Sequence, residues 1–436
     1  MYDAIVIGAG YAGMSVAALL ANRGRKVLVV EKLALIGGRA YSYSDDEGYT
    51  WEYGAHSHRL AELGLANQVF KALNDPIEFL PQAGGAKLIF KDRLWDRPEG
   101  PLGFLSTPML SLPARVVLMR LLLKIKQAET HAWYDRTLLE FYHACSHNRE
   151  VERFLSLFGM TVMCPDPAKA SAGEVIDFLQ RVLATGIGAG EPAGGSKQIF
   201  SKLQRHISDQ DAIHLQEKIT EICVKDGTVT GVITDKAEYQ ARHVIYTGRL
   251  PLLFGLIDRG LFAPEFVSYA EKIENSSGLT IDFILKQSEP AMTGGILGVD
   301  IPIWARFQSN TDPSFTPKGR FLSTWGILLP WGFDGDPTVA KSAENRLKNT
   351  IAKIFPNFLR HVVMERVTVV PVLNGTVLKP SQSKPHRPRV VCETIKGLYF
   401  AGDTVRGDGC SGDISFSSAL KVAEIISAED QAGLKG

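Results

Sequence analysis

The sequence predicts an α/β protein in which a domain with a largely parallel sheet is interrupted by an α+β domain. Three observations predict this fold. A strand, a glycine-rich turn, a helix and a second strand follow one another within residues 3–31. Strand-like stretches recur between residues 212 and 246, and a strand, a glycine-rich loop and a helix close the chain after residue 397. With 436 residues, the chain exceeds the roughly 250–300 residues at which single cores stop growing, so several domains are expected.

The N-terminal segment has the pattern of a dinucleotide-binding unit. Its regular stretches are a strand at 3–7 (DAIVI), a helix at 14–22 (MSVAALLAN) and a strand at 26–30 (KVLVV). Between strand and helix, Gly8 permits a tight turn, Gly10 lets the backbone approach a diphosphate, and Gly13 lets the helix pack closely on the strand. The helix start then presents free N–H groups and a positive dipole end to the diphosphate.

Glu31 ends the second strand, 18 residues after Gly13. Its carboxylate can accept hydrogen bonds from both hydroxyls of an adenosine ribose and would repel a 2′-phosphate, which disfavours NADP. This order of elements predicts dinucleotide binding, and a glycine-rich turn of an unrelated α/β protein is the alternative. The cofactor-binding residues assigned to this segment are Gly8, Gly10, Tyr11, Ala12, Gly13, Glu31 and Lys32.

Two segments after the first unit can reach further along a dinucleotide. Arg39 can carry its guanidinium back to the diphosphate, whose oxygens its fork geometry matches, and a surface arginine is the alternative. The turn that ends in Gly54, Ala55 and His56 can lie against a flavin ring, although His56 is equally explained as a histidine satisfied by backbone groups. From these two segments, the residues that we assign to the cofactor site are Gly38, Arg39, Ala40, Gly54, Ala55 and His56.

The middle and the end of the chain supply the remaining cofactor contacts. The end has a strand at 397–401, then Gly402 and Asp403, a glycine-rich loop and a helix at 413–426. Asp403 can bind the ribityl or diphosphate region, and the start of this helix can stabilise the negative charge that a flavin N1–C2=O edge gains on reduction. A nicotinamide enzyme lacks such a second segment, so the pattern indicates FAD. The assigned residues are Ile219, whose backbone would face the adenine, Gly248, Gly402, Asp403, Asp413 and Ile414.

These motifs resemble the phytoene-desaturase-like branch of the flavin amine-oxidase and phytoene-dehydrogenase superfamily. The matching segments are GAGYAG at 8–13, Glu31, GGRA at 37–40, PAGG at 192–195, 219–234, 309–313 with 317–319, and GLYFAGDTVRGDG at 397–409. The resemblance implies a Rossmann-like, two-dinucleotide-binding FAD domain of the glutathione-reductase type, FAD bound without a covalent link, and redox chemistry at flavin N5. Many substrates of this superfamily are isoprenoids or other hydrophobic molecules.

The resemblance also implies that the FAD domain is discontinuous. We assign residues 1–75, 190–275 and 365–436 to the FAD domain. The substrate domain then comprises 76–189, which has a largely helical pattern, and 276–364, which mixes strands with a helix at 336–355.

Two departures from the family argue against a true amine oxidase. The amine-oxidase branch, which this chain also resembles, carries a lysine on a central strand of the substrate domain. Residues 279–285 of this chain contain no lysine, and Lys286 follows them. That branch also places an aromatic residue after the Ser-Gly of the C-terminal motif, where this chain has Asp413. We expect Asp282 to face either the substrate cavity or an arginine. The residues expected to line the substrate cavity are Trp304, Arg306 and Trp325, and packing in the core is the alternative for the two tryptophans.

The leading hypothesis is an FAD-dependent oxidoreductase that desaturates, saturates, oxidises or isomerises a hydrophobic, isoprenoid-like substrate. The alternatives are an amine or amino-acid oxidase that releases hydrogen peroxide, and a flavin-binding protein without turnover. Because the flavin supplies the chemistry, no catalytic side chain is assigned. Oxygen, a quinone and NAD(P)H are candidate electron partners.

Composition narrows the partners and the compartment. With 48 basic and 47 acidic residues, no basic excess indicates nucleic acid. Five cysteines without a CxxC indicate a reducing compartment, and neither they nor His143 and His147 indicate a metal site. Without a signal peptide or a transmembrane stretch, a cytoplasmic protein is expected. Residues 102–126 are apolar with scattered bases, which indicates either a peripheral membrane helix starting near Leu112 or a buried helix with snorkelling charges.

Overall fold

The computed structural model describes residues 1–54, 57–80, 85–207 and 212–433. Its α-helices are α1 (Tyr11–Ala21), α2 (Leu65–Ala72), α3 (Gly100–Ser106), α4 (Leu112–Gln127), α5 (Leu138–His143), α6 (Arg149–Thr161), α7 (Ala172–Thr185), α8 (Gly195–Arg205), α9 (Pro264–Lys272), α10 (Gln308–Thr311), α11 (Pro337–Ile354) and α12 (Gly412–Gly433). Its strands are β1 (Tyr2–Ile7), β2 (Val27–Val30), β3 (Ser42–Ser44), β4 (Thr50–Glu52), β5 (His58–Arg59), β6 (Lys87–Phe90), β7 (Arg93–Asp96), β8 (Ala189–Gly190), β9 (Ile213–His214), β10 (Ile219–Lys225), β11 (Thr228–Thr234), β12 (Glu238–Tyr246), β13 (Ser276–Leu285), β14 (Ile296–Gly298), β15 (Ile303–Arg306), β16 (Phe321–Leu328), β17 (Val362–Asn374) and β18 (Leu398–Phe400).

The first sheet has the order β10-β11-β12-β1-β2-β9, and β18 also pairs with β12. The strands β12, β1, β2 and β9 are mutually parallel, as is β18 with β12. All four residues of β2 are buried, as expected for a parallel strand covered on both faces. The predicted α/β fold with a parallel sheet is confirmed, and the sheet joins strands from the start, the middle and the end of the chain.

The second sheet has the order β17-β13-β16-β15-β14-β6-β7. Alternate residues of β13 point to opposite faces, since side chains alternate along a strand. Leu279, Ile281, Phe283 and Leu285 belong to a buried cluster that also contains Leu347 of α11. The other face of β13 therefore carries the residues between them, including the buried Thr280 and Asp282.

A helical lobe formed by α3 to α7 completes the structure. The side chain of Ser111 accepts a hydrogen bond from the backbone of Ala114, which caps α4 at its N-terminus, so α4 begins at Leu112 as predicted. The segment predicted as largely helical also contains the hairpin β6–β7, which extends the second sheet. Within the described ranges, no helix is long and apolar enough to cross a membrane.

The domain boundary predicted at residue 365 needs correction. It falls inside β17, which pairs with β13 from Ser276↔Asn374 to Leu285↔Val362. Because β17 pairs with the second sheet at both of its ends, we place this end of the substrate domain at Asn374. No local signal marks it, since residues 362–374 are mostly β-branched or apolar.

Candidate active site

The glycine-rich turn between β1 and α1 packs the helix tightly onto the strand. A Cβ on Gly13 would lie 1.9 Å from the carbonyl oxygen of Gly8, and one on Gly8 would lie 2.8 Å from Oγ1 of Thr247. A Cβ on Gly10 would meet no protein atom closer than 4.0 Å. Packing therefore requires the glycines at both ends of the motif, whereas the space over Gly10 is open. Such an open cradle at a helix start fits a diphosphate.

Glu31 is held beside this turn. Its Oε2 accepts a hydrogen bond from the backbone N–H of Ala9 at 2.9 Å, and its Oε1 accepts one from Leu33 at 2.9 Å. The side chain is buried, whereas Lys32 next to it is exposed. The carboxylate is thus fixed at the end of β2, the position at which the sequence predicts the adenosine ribose.

Arg39 and Asp403 are brought together by the fold. Nη2 of Arg39 donates to Oδ1 of Asp403 at 2.6 Å, and Nη1 donates to Oδ2 at 2.8 Å. The backbone N–H of Gly375 also donates to Oδ2, at 2.6 Å. Burial alone would raise the pKa of Asp403, but the guanidinium and this N–H hold the pKa below its ordinary value. The two residues were assigned separately to the cofactor site, and the structure shows a bidentate pair between them.

The other two assigned glycine turns lie close to these residues. A Cβ on Gly38 would lie 3.3 Å from Cα of Gly10, so the two glycine-rich loops are neighbours. A Cβ on Gly54 would lie 2.7 Å from the carbonyl oxygen of Arg39. Ala40 is buried beside them. The predicted flavin contacts of Ala55 and His56 lie outside the described residues.

The N-termini of α1 and α12 lie side by side. The ring of Tyr11 stacks on Phe200 at 5.1 Å and contacts Phe416 at 4.8 Å between centroids. Its side chain and that of Ala12 are buried, which leaves their backbone for any contact with a diphosphate. In the first turn of α12, the N–H of Asp413 donates to Cys410 and that of Ile414 to Ser411, at 3.1 and 3.3 Å. The glycine turn and the C-terminal motif are therefore neighbours in the structure.

The remaining assigned residues flank the first sheet. Ile219 is buried at the start of β10 and pairs with Thr234. Gly248 follows β12, and a Cβ there would lie 2.5 Å from the hydroxyl of Tyr246. Gly402 has a φ of +136°, which favours glycine.

Arg249 is a residue that the sequence analysis missed. Its Nη2 donates to Oδ1 of Asn275 at 2.9 Å, while its buried Nε has no hydrogen-bond partner in the described part of the chain. Burial, and then the positive charge of Arg39, lower the pKa of Arg249. A partly unpaired cation beside Arg39 suits a diphosphate. The signal was a basic residue directly after Thr247 and Gly248, which follow β12.

The face of the second sheet opposite α11 carries a polar network. Asp282 accepts hydrogen bonds from Nη2 of Arg366 at 2.6 Å and from the hydroxyl of Thr324 at 2.5 Å, so it pairs with an arginine. Trp325 is fully buried on the other face against Phe307 and belongs to the core.

Trp304 and Arg306 lie on the same face as Asp282. A Cβ on Gly326 would lie 2.2 Å from the ring of Trp304, so the glycine lets the indole lie flat on the sheet. Arg306 donates to Glu191 through Nε at 2.8 Å, while its buried Nη1 has no partner among the residues described. Nearby, burial lowers the pKa of His58 to about 4, which keeps this ring neutral.

These residues fit FAD. The cradle over Gly10, the carboxylate of Glu31 and the partly unpaired cation of Arg249 match a ribose and a diphosphate, and α12 adds the second segment that a flavin needs. The fold and the site together define an FAD-dependent oxidoreductase. The chain belongs to the flavin containing amine oxidoreductase family, whose sequence pattern it matches over residues 11–427.

Curated relatives come from two branches of this family. Prolycopene isomerase 2 of an Oncidium hybrid cultivar is 34% identical over 98% of this chain and 82% of its own length. The flavin-containing amine oxidase of Danio rerio is 24% identical over 56% of this chain, and the chain covers only 49% of that enzyme. The predicted resemblance to the phytoene-desaturase-like branch is confirmed by the first of these relatives.

Solved structures share the fold at low identity. An oxidoreductase from Methanosarcina mazei aligns with a TM-score of 0.78 at 20% identity, over 97% of this chain and all of its own. A putrescine oxidase variant aligns with a TM-score of 0.73 at 15% identity, over 99% of both chains. These similarities establish the architecture.

Proposed function

We propose that this flavoprotein acts on carbon–carbon bonds of a hydrophobic, isoprenoid-like substrate by hydride transfer at flavin N5. The observation that carries the proposal is the contact between the C-terminal cofactor motif and the helical lobe. Cys410 and Ile414 are buried in one apolar cluster with residues of α4, α5, α6 and α7, among them Leu118, Phe141 and Phe158. A substrate that reaches the start of α12 therefore meets an apolar wall.

A cavity at one end of the second sheet supports an apolar substrate. It has a volume of about 660 Å³, within the range of small-molecule sites. Its lining includes the apolar residues Met163, Ile327, Leu329, Trp331, Val339 and Val377, together with the charged residues Asp166, Lys169 and Arg346. Asn275, which binds Arg249, also lines it. We propose that one end of an elongated substrate lies here, with its reacting carbons toward the cofactor.

The polar residues that an amine oxidase would need are poorly placed. Lys286 is exposed at the end of β13, and its backbone N–H is bonded to His361. The face of β13 toward Trp304 presents Gly278, Thr280 and Asp282, of which the last is already paired with Arg366. Asp413 occupies the position of the aromatic residue after Ser411 and Gly412. These features favour the carbon–carbon reaction over amine oxidation.

The protein's part in the reaction is to bind, orient and exclude water. FAD supplies the two-electron acceptor when it is bound. Glu31 would hold the ribose, Arg39 and Arg249 the diphosphate side, and the start of α12 the flavin edge. The apolar cluster around Ile414 keeps water away from the reacting carbons, which strengthens the electrostatic interactions there.

The proposal is tested by mixing the FAD-loaded protein anaerobically with a polyene in detergent micelles, and separately with primary amines. We expect the polyene to bleach the flavin absorbance and to yield a product with one more double bond, as resolved by chromatography and mass spectrometry. For the saturating direction, the reduced protein is mixed with the same polyene and reoxidation is followed. Free FAD in the same micelles is the control. Bleaching by amines alone, with peroxide formed on aeration, would establish the amine-oxidase alternative instead.

We also propose that α3 and α4 contact an anionic membrane surface, from which an apolar substrate is taken. Leu102 is 80% and Leu112 is 70% exposed, and Val116 and Leu123 continue the exposed stripe along α4 with Arg120 between them. Basic side chains beside exposed leucines are typical of interfacial helices.

From this surface we expect the protein to bind vesicles that contain phosphatidylglycerol, and we expect salt to weaken this binding. Replacing Leu112 and Leu123 with serine should lower the co-sedimenting fraction several-fold, because the buried apolar area is lost. The matched control is Leu261→Ser, since that leucine is 40% exposed elsewhere on the molecule. Equal sedimentation of both variants and the parent protein would contradict the proposed contact.

A further inference from the structure

Asp413 lies in the first turn of α12, next to the start of the cofactor-binding helix α1. Its exposure is 5%, and the preceding loop folds back over it. A Cβ on Gly409 would lie 2.5 Å from Cβ and 2.7 Å from Oδ2 of Asp413, so the glycine makes room for the carboxyl group. A Cβ on Gly412 would lie 3.9 Å from the ring of Tyr11, which follows the glycine turn directly. Asp413 is therefore buried, and it directly follows a residue that lies against Tyr11 at the start of α1.

Charged residues from two elements, Arg181 and Asp177 on α7 and Arg59 on β5, act on Asp413, and none of those described pairs with it. Arg181 on α7 makes its ion pair with Asp177, at 2.8 Å. Arg59 on β5 donates through Nη2 to the carbonyl oxygen of Thr161, at 2.9 Å. The Cys410 thiol in the preceding loop is buried, and its own pKa is raised by burial to about 12, so it stays protonated.

Burial raises the pKa of Asp413 to about 7, because the positive charges of Arg59 and Arg181 offset only part of the desolvation of the carboxylate. A structural aspartate at a helix start is instead expected to be ionised and exposed, since its role is to complement the helix dipole. A buried acid that changes protonation near neutral pH is suited to general acid–base catalysis.

We propose that Asp413 is the proton acceptor and donor of the reaction, a catalytic role that rests on the proposed function. In the oxidising direction, one substrate C–H bond breaks with its electron pair leaving as hydride to the flavin. The C–H bond on the adjacent carbon breaks heterolytically, its proton goes to the Asp413 carboxylate, and its electron pair forms the new C=C bond. The substrate loses two electrons, and the flavin gains them. In the saturating direction, the protonated Asp413 returns the proton to carbon.

Two readouts on the FAD-loaded protein test this assignment. The first needs no substrate, because a carboxyl group that ionises beside a flavin shifts the visible absorbance of the flavin. We expect the spectrum of the parent protein to change with one ionisation near neutral pH, and the spectrum of Asp413→Asn to remain constant. The comparison variant is Asp177→Asn, which keeps Asp413 but removes a negative charge that helps to raise its pKa, so the spectral titration should persist and move to lower pH.

The second readout is the rate of flavin bleaching by substrate as a function of pH. For the parent protein, the oxidation rate should rise as Asp413 ionises, and Asp413→Asn should slow bleaching about 100-fold or more and lose this rise. Asp413→Glu should restore part of the rate. The KM should change little, since the acid contributes to the transition state rather than to apolar binding.

The outcomes separate this inference from the proposed function. If polyenes never react but the spectrum titrates in the parent protein only, the substrate class is wrong, and the pH profile is repeated with whichever amine bleaches the flavin. If Asp413→Asn retains FAD, the parent rate and the parent pH profile, the catalytic role of Asp413 is overturned. A parent spectrum that is constant across the neutral range overturns it as well, because no ionisation then occurs beside the flavin.

Discussion

Replacing Gly10 with alanine is expected to weaken FAD binding roughly 100-fold, equivalent to about 2.7 kcal/mol, while the apoprotein remains folded. The backbone of Gly10 has a φ of −82°, which alanine adopts without strain, and its Cβ would meet no protein atom closer than 4.0 Å. The methyl group would instead occupy the open cradle that the diphosphate needs. The dissociation constant is measured by quenching of flavin fluorescence, and folding of the apoprotein by circular dichroism.

Gly13→Ala is the matched comparison in the same motif. Its Cβ would lie 1.9 Å from the carbonyl oxygen of Gly8, so α1 must move away from β1. We expect a loss of about 3 kcal/mol in the free energy of unfolding of the apoprotein, the upper range for overpacking a core. If Gly10→Ala destabilised the apoprotein as strongly as Gly13→Ala, the cradle would be a packing feature rather than a cofactor site.

Asp403→Ala is expected to destabilise the protein by about 3 kcal/mol and to lower the FAD content of the purified protein. The substitution removes both oxygens that bind Arg39 and the acceptor for the N–H of Gly375. Breaking a buried ion pair on one side costs about 3–5 kcal/mol, and the lower figure applies because the Arg39 side chain is 37% exposed. Urea denaturation of the apoprotein measures the change.

A double-mutant cycle with Arg39→Ala measures the interaction between Arg39 and Asp403 separately from the effect of removing each side chain alone. The free energy of unfolding of the double variant should fall by less than the sum of the decreases in the two single variants, because no unpaired charge remains. The exposed pair of Arg242 and Asp3, 3.6 Å apart, is the control, and Arg242→Ala should cost less than 1 kcal/mol. Additive effects of Arg39→Ala and Asp403→Ala would show that the bidentate pair does not act as a unit.

The same pair predicts a pH dependence. The pKa of Asp403 is lowered in the folded protein, so the pair stabilises the protein above the unfolded pKa, which is about 3.9. This contribution is lost as the pH falls through the lower, folded pKa. Acid unfolding of the parent protein should therefore be steeper than that of Asp403→Asn.

The sequence predicted the elements that follow local rules and missed contacts that depend on distant strands. The strand–turn–helix unit around Gly8 and Gly13 was readable because its chemistry is local, and so was the start of α4 near Leu112. The end of the substrate domain at Asn374 was not readable, because only pairing with β13 shows that β17 belongs to the second sheet.

Some residues of the candidate site could be predicted from the sequence, whereas the contacts between them could not. Residues of the glycine motifs could be assigned from their spacing, whereas the pairing of Arg39 with Asp403 joins residues 364 positions apart. Asp282 could be recognised as a buried acid but not matched to Arg366, since no local pattern links them. Arg249 was missed although its position after Gly248 was visible, because no motif requires a cation there.

The pairing of β12 with β18 sets the order in which this protein can be assembled on the ribosome. Residues 244–246 bond to residues 398–400, so the sheet that starts at β1 is completed only when the end of the chain emerges. At the usual 5–20 residues per second, β12 waits roughly 8 to 30 seconds for β18. Completion of the first sheet and the pairing of Arg39 with Asp403 therefore follow synthesis of the C-terminal segment.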